Sequence, residues 1–242
     1  HLRCQKKGNI VDLSNQPMPR GLKRKATALG EEIRVGKRSA VVKQELGKGS
    51  YGIVVLIDSP EQGEIAVKAQ MPTDCLAWEF VLMKRLEERI GNDKNKPFPS
   101  PLSFVTLSDG GLLSMSAVSR TGMNLVDICN VYQMKEGGPV PELIALHYTC
   151  RMLKHIELLH WRGKILHCDV KPDNWVLTAS DCSYEGCTEL IEASDLMLVD
   201  FGRAVDLAAA ADDSMNPIDL KLKGLATSED MACVANRLNL EW

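Results

Sequence analysis

The chain has 242 residues, 45% hydrophobic, 25% charged and 5% aromatic, with 29 Lys+Arg against 32 Asp+Glu for a formal charge of −3. This fits a globular chain of one large domain or two smaller lobes and excludes collagenous, wholly disordered and disulfide-scaffold classes. With charge so nearly balanced there is no global basic field for a phosphodiester backbone or an anionic bilayer, so neither nucleic acid nor membrane is an expected partner. Eight scattered cysteines form no CxxC pair and read as reduced thiols of an intracellular protein. No apolar run approaches the roughly 20 residues of a membrane helix, and the first residues lack the order of a secretory signal. A start at His1 and an end at Trp242, within patterned sequence, are those expected of a fragment of a longer protein.

Residues 1–37 are polar and interrupted by Asn, Pro and Gly, and read as an extension or linker. Their basic run, Arg20, Lys23, Arg24 and Lys25, is either a solvated linker charge cluster or a nuclear-import signal. From Ser39 the texture changes. Val41–Leu46, Gly52–Ile57 and Gly63–Lys68 are short β-branched runs around glycines and predict consecutive antiparallel strands. Trp78–Ile90 predicts a helix, with Leu82, Met83, Leu86 and Ile90 on one arc. Leu102–Val118 predicts two more strands around the turn signal Asp109-Gly110-Gly111, giving five strands in all. Pro141–Trp161 predicts a long half-buried helix through Leu143, Leu146, Cys150, Leu153 and Ile156. Lys164–His167, Asn174–Leu177 and Leu196–Val199 are too short for helices and read as strand pieces between loops.

Several short patterns within these elements carry chemistry. Gly47-Lys48-Gly49-Ser50-Tyr51-Gly52-Ile53-Val54 fits G-x-G-x-x-G-x-V, in which glycines admit phosphates close to the backbone. It is followed by a strand, whereas a dinucleotide-binding fingerprint leads into a helix. Lys68 ends the third strand, where a lysine can hold α- and β-phosphates beneath a glycine flap. Glu79 is the one charge inside the apolar arc of the first helix and so requires a cation. It is expected to pair with Lys68; a solvated Glu79, or pairing through Glu87 or Glu88, are the alternatives. Asp169 and Asn174 in His167-Cys168-Asp169-Val170-Lys171-Pro172-Asp173-Asn174 keep the spacing of a catalytic base and a metal-binding amide. Lys171 can neutralise charge on a transferred phosphoryl group, and Asp200-Phe201-Gly202 offers a second metal ligand in Asp200.

The order of these patterns resembles the eukaryotic protein kinases, and Lys171-Pro172 after Asp169 resembles their serine/threonine branch. Lys68-Ala69-Gln70-Met71-Pro72, Ala77-Trp78-Glu79-Phe80, Asn130-Val131-Tyr132, Arg151-Met152-Leu153 and His167–Trp175 resemble more closely the kinase domain of the Bub family of spindle-checkpoint kinases. The similarity covers about Ser39–Ala232, with an acidic insertion between Leu177 and Leu196. The resemblance implies an α+β bilobal fold: a five-stranded antiparallel small lobe with a helix, about 38–118, and a mainly helical large lobe, about 119–242, that stops short of its last helices. It implies ATP at Gly47, Gly49, Ser50, Gly52, Val54, Ala66 and Lys68, Mg²⁺ at Asn174 and Asp200, and catalysis by Asp169, Lys171, Lys68 and Glu79. It further implies a mitotic checkpoint kinase of the nucleus and kinetochore. Its substrates would be Ser/Thr of histone or checkpoint proteins, and its partners kinetochore scaffolds and checkpoint adaptors.

The departures are informative. Cys168 stands where most kinases have the arginine that grips a phosphorylated activation loop, so activity without loop phosphorylation is expected. Gly224–Cys233 resembles a substrate-facing loop, but Ala235 stands in place of that loop's acidic anchor. These departures leave two alternatives to an active protein kinase: a pseudokinase-like checkpoint scaffold or inactive fragment, and a small-molecule kinase of the same architecture.

Overall fold

The computed structural model describes residues 9–23, 29–49, 52–71, 74–91, 96–117, 122–178 and 195–210. Its centre is a mixed sheet of seven strands: β1 (Ile10–Leu13), β2 (Glu32–Val35), β3 (Arg38–Lys48), β4 (Gly52–Ser59), β5 (Gly63–Gln70), β6 (Pro101–Leu107) and β7 (Gly111–Ser116). The spatial order is β1-β6-β7-β5-β4-β3-β2. All pairings are antiparallel except β1 with β6, which places Ile10 beside Phe104 in parallel.

The five strands expected from Ser39 onward are present, but the expected five-stranded sheet has seven. The segment read as an extension or linker supplies the two edge strands, β1 and β2. It also folds Met18 and Leu22, 3% and 1% exposed, onto the outer face of the sheet. The reason lies in strand alternation. On β5, Ala66 faces one apolar cluster while Ile65 and Val67 face the other; on β7, Leu113 and Leu112 divide in the same way. With β-branched residues on both faces, the sheet needs a cover on the side away from the helix, and the N-terminal segment provides it. Four-residue edge strands with exposed positions such as Glu32 and Arg34 carry too little periodicity to be read directly.

Helix α1 (Asp74–Ile90) packs on the other face and begins one turn before its predicted start. Leu76, Phe80, Leu82, Met83, Leu86 and Ile90 are buried along its inner arc, and Glu79 is buried among them at 2% exposure. Helix α2 (Leu125–Lys135) was not expected. The Asn124 side chain accepts from the Val126 and Asp127 backbone N–H groups, while Asp127 accepts from the Asn124 N–H in return. This capping box was the available signal, with Asn and Asp in place of the commoner Ser/Thr and Glu.

Helix α3 (Glu142–Trp161) forms as predicted, but most of its predicted half-buried face does not pack. Leu143, Leu146, Cys150 and Leu153 are exposed, whereas Ile156 of that face is partly buried against the core. The arc through Ile144, Tyr148, Met152 and Leu159 packs into the core instead. Both arcs of α3 carry apolar residues, so the helical period alone could not select one. Beyond it lie two small antiparallel pairs. One joins β8 (Ile165–Leu166) to β11 (Val205–Asp206), and the other joins β9 (Trp175–Leu177) to β10 (Leu196–Leu198). The ends of the acidic insertion are pinned together, because the Thr178 N–H donates to the Asp195 carbonyl at 3.0 Å and Arg151 of α3 holds the Asp195 carboxylate. The insertion's interior, and the expected loop at Gly224–Cys233 with Ala235, lie outside the described residues. No described helix is long and apolar enough to cross a membrane.

Candidate active site

The site lies where β5, α1 and the loops after β8 and β10 converge. Lys68 sits on β5 between Val54 of β4 and Leu113 of β7, so its side chain is aimed by three hydrogen-bonded strands. Its Nζ donates to Glu79 Oε2 at 2.7 Å and to Asp200 Oδ1 at 2.8 Å. The alternatives of a solvated Glu79 or a pairing through another glutamate give way to this arrangement. Glu87 instead accepts from Lys84 and Lys96, at 3.0 and 2.7 Å. Glu79 also accepts from the Phe201 N–H at 3.1 Å through its other oxygen, so one buried carboxylate joins β5 to the Asp200 turn.

Burial opposes charge on Lys68, yet the carboxylates of Glu79 and Asp200 outweigh it and raise the ammonium above its ordinary value. For Glu79 burial is the larger effect and holds its carboxyl above the usual range, against the pull of Lys68. Asp200 is also partly desolvated, but Lys68 prevails and keeps its carboxyl below the usual range. The backbone of Asp200 is left-handed, with φ 67° and ψ 72°, a conformation that Asp tolerates better than most side chains. That turn sends its carboxylate toward Lys68 while Phe201 enters the core.

Phe201 is fully buried, edge-on to His167 at 5.0 Å and to Phe98 at 5.9 Å between ring centroids. His167 is buried too, and its two hydrogen bonds select a tautomer. Nε2 faces the Val199 carbonyl at 3.0 Å and so carries the proton, leaving Nδ1 to accept the Asp169 N–H at 3.3 Å. Burial holds its pKa below the ordinary value, consistent with a neutral ring. Cys168, between these two residues, takes φ 60°.

Asp169 and Asn174 are brought together by the short helical turn Pro172–Asn174, whose proline occupies its first position. Asn174 Nδ2 donates to the Asp169 carbonyl at 2.8 Å and to its Oδ2 at 3.1 Å. Lys171 Nζ lies 3.0 Å from the same oxygen. With its amide hydrogens so engaged, Asn174 has its amide oxygen to offer a cation. That oxygen and the Asp200 carboxylate are hard donors, suited to Mg²⁺. No cluster of three or more His, Cys, Asp or Glu forms a metal cage among the described residues, so a cation here would complete its shell with phosphate oxygens and water.

The glycine-rich turn joins β3 to β4, closed by Gly49 N–H donating to the Gly52 carbonyl at 3.0 Å. Its glycines serve different ends. A Cβ at Gly52 would lie 2.1 Å from the Ala69 carbonyl oxygen, so the neighbouring strand forbids a side chain there. At Gly47 and Gly49 a Cβ would meet nothing within 4 Å, which leaves open space for a ligand. Val54 and Ala66 both belong to the apolar cluster that includes α1. Ser50 of the turn lies outside the described residues. Sequence reasoning missed the buried carboxylate of Asp206 and its partners Arg85 and Arg89; a charge two residues into a strand pair carries no motif.

No family model matches the sequence. Among curated proteins, the chain is 28% identical over 217 residues to the mitotic checkpoint serine/threonine-protein kinase BUB1 of Arabidopsis thaliana, covering 87% of this chain and 39% of that protein. It is 26% identical over 182 residues to the mouse protein of the same name, covering 73% of this chain and 16% of that one. It is 23% identical over 210 residues to the spindle assembly checkpoint kinase BUB1 of Saccharomyces cerevisiae, covering 83% and 20%. The chain thus spans well under half the length of these relatives. Among solved structures, the BubR1 kinase domain superposes with a TM-score of 0.66 at 22% identity, over 85% of this chain and 57% of that one. That match shows a shared kinase-domain fold.

Proposed function

We propose that this chain is a kinase domain of the Bub family, which it resembles at 23–28% identity, and that it transfers the γ-phosphate of ATP to serine or threonine hydroxyls of protein substrates in the mitotic checkpoint. The observation that carries this reading is the joining of Lys68, Glu79 and Asp200 by contacts of 2.7 and 2.8 Å, next to a loop in which Asn174 donates to Asp169 while the Asn174 carbonyl accepts the Val199 N–H.

Each residue then has a role its surroundings allow. Lys68, held by two carboxylates, presents a fixed positive charge to the α- and β-phosphates. Gly47 and Gly49, with no side chain and open space around them, leave room for phosphate against the backbone, with Ser50 between them and Gly52. Val54 and Ala66 furnish apolar surface for the base. Asn174 and Asp200 would hold the metal, and bound Mg²⁺-ATP supplies a γ-phosphoryl group whose charge the cation offsets. Asp169 orients the substrate hydroxyl and accepts its proton, its carboxylate aimed by the Asn174 amide. Lys171, on the same carboxylate, stands ready to offset charge on the transferred group.

The small lobe is best drawn from residue 9, with the large lobe beginning near residue 119. Substrates of the proposed class are kinetochore or centromeric chromatin proteins, histone among them. Kinetochore scaffolds and checkpoint adaptors would be the partners, and the nucleus the compartment. The full set of phosphate-handling residues favours a transferase over a binding-only scaffold. The test is labelled-phosphate transfer to histone with Mg²⁺-ATP. Wild-type transfer should fall at least about a hundredfold in Asp200→Asn, on the scale of losing a principal charge-stabilising group. Equal transfer by both proteins contradicts the reading.

A further inference from the structure

Glu79 can serve Lys68 only while α1 keeps its place, and contacts along the whole of α1, its C-terminal half included, hold it there. Ten residues after Glu79, about 15 Å along the helix axis, Arg89 reaches the segment that follows Phe201. Its Nη2 donates to Asp206 Oδ2 at 2.8 Å, and its Nη1 lies 2.8 Å from Oδ1. Arg85, one turn earlier, donates to the same Oδ2 at 2.8 Å. The Asp206 side chain is 1% exposed. Its Oδ1 also accepts the N–H groups of Ala208 and Ala209, at 3.1 and 3.2 Å, so both carboxylate oxygens are fully engaged.

The cluster touches more than α1. Arg89 also donates to the Gly163 carbonyl at 2.8 Å, and Asp206 is paired across β11 and β8 with Ile165. Strand β8 leads directly into His167 and Asp169. One anion therefore ties the small-lobe helix to the strand that precedes the catalytic loop and to the segment that follows Asp200. Trp78, next to Glu79, adds a bond from its Nε1 to the Ala204 carbonyl at 3.0 Å. Two arginines four apart on a helix, converging on one anion, form a geometry equally suited to a phosphate. Here a carboxylate of the chain occupies it.

We propose that Asp206 is a positioning residue whose encoded anion, through Arg85 and Arg89, holds α1 where Glu79 meets Lys68, so that the site assembles without phosphate on the segment after Asp200. This rests on the kinase reading above and names its regulation. It also supplies a structural cause for the phosphorylation independence expected from Cys168.

The test uses the whole chain and two readouts, steady-state transfer to histone and backbone hydrogen exchange. Phosphatase-treated wild type should keep its rate within about twofold; a tenfold loss overturns the proposal. Asp206→Asn should lower kcat about tenfold or more, the scale of charge-assisted hydrogen bonds. Its histone KM should stay within about threefold, because Asp169 and Lys171 are untouched. Amides of α1 should exchange at least about tenfold faster while those of β4 and β5 hold, and Asp206→Glu should restore part of both effects. Unchanged kcat, or exchange rising equally through β4, β5 and α1, overturns the proposal. Should Asp206→Asn fail to fold, the doubly substituted Arg85→Gln, Arg89→Gln chain, altered at partly exposed side chains, decides by the same criteria. If wild type transfers no phosphate, the kinase reading fails by itself. The exchange arm then decides the clamp: selective loosening of α1 upholds it, and its absence overturns it.

Discussion

A buried glutamate is tolerable only beside a cation, and that dependence makes Lys68 a side chain on which the stability of the fold rests. In Lys68→Met, Glu79 would keep the Phe201 N–H but lose its ammonium, and Asp200 would lose its partner as well. Breaking a buried pair from one side costs about 3 kcal/mol, so urea unfolding should show a loss of that order; an unchanged midpoint would mean the pair is solvated. Glycine 52 provides a second residue-scale test. Its missing side chain is demanded by the Ala69 carbonyl 2.1 Å away, so Gly52→Ala should cost about 1–3 kcal/mol of stability by overpacking. Gly49→Ala, with open space around it, should unfold at the wild-type midpoint and weaken nucleotide binding alone. The sequence motif treats these glycines alike. What separates them is the register of β4 on β5, which places Gly52 opposite Gln70.

Among the elements, α1 and the loop from His167 to Asn174 were legible and the edge strands were not. Leu82, Met83, Leu86 and Ile90 marked the buried arc of α1, and a lone Glu79 within it announced a cationic partner. The spacing of Asp169 and Asn174 is matched by their contact across the Pro172–Asn174 turn. Strands β1 and β2 are four residues each and earn their place from the sheet they cover, which no local pattern records. The buried face of α3 was misread for a related reason: neighbours decide which of two apolar arcs is covered. At this scale the acid response also follows. The pKa of Asp206 is lowered, Arg89 and Arg85 outweighing burial, and that of Asp195 is lowered by the Leu196 N–H and Arg151. A carboxyl lowered in the folded state adds stability that is full above its unfolded value near 4 and lost as pH falls through the folded value. His167 and His155, lowered by burial, add stability that is full above about 6.5 and lost as pH falls through their folded values. Glu79, raised, works in the opposite sense, favouring the fold at lower pH and losing that contribution as pH rises through its folded value. Unfolding followed by fluorescence should therefore show stability declining below about pH 6.5 and again below about pH 4. In Glu79→Gln, where the opposing contribution is gone, a flat profile from 7 to 4 would contradict the neutral, buried state of His167.

For the molecule as a whole, the question is whether two half-sites act as one. Lys68 and Glu79 belong to the sheet and α1, whereas Asp169, Asn174 and Asp200 follow β8 and β10. The contact of Lys68 with Asp200, spanning 132 positions in sequence, joins the two sets of charged groups directly, beside the bond from the Phe201 N–H to Glu79. A ligand that spans both should stabilise the fold by mass action, about 2.7 kcal/mol at a hundredfold excess over Kd. Mg²⁺-ADP should accordingly raise the midpoint of thermal unfolding, and chelation of the metal should remove most of the gain. The most direct measurement is phosphate transfer from Mg²⁺-ATP to histone by wild type and by Asp169→Asn, with nucleotide affinity measured on both. Among the described residues of the expected site, Asp169 bonds to Asn174 and Lys171. The expected result is transfer abolished in Asp169→Asn while both proteins bind nucleotide with similar affinity. Transfer that survives the substitution, or wild type that binds nucleotide and transfers none, would contradict the assignment of Asp169 as the base of a protein kinase.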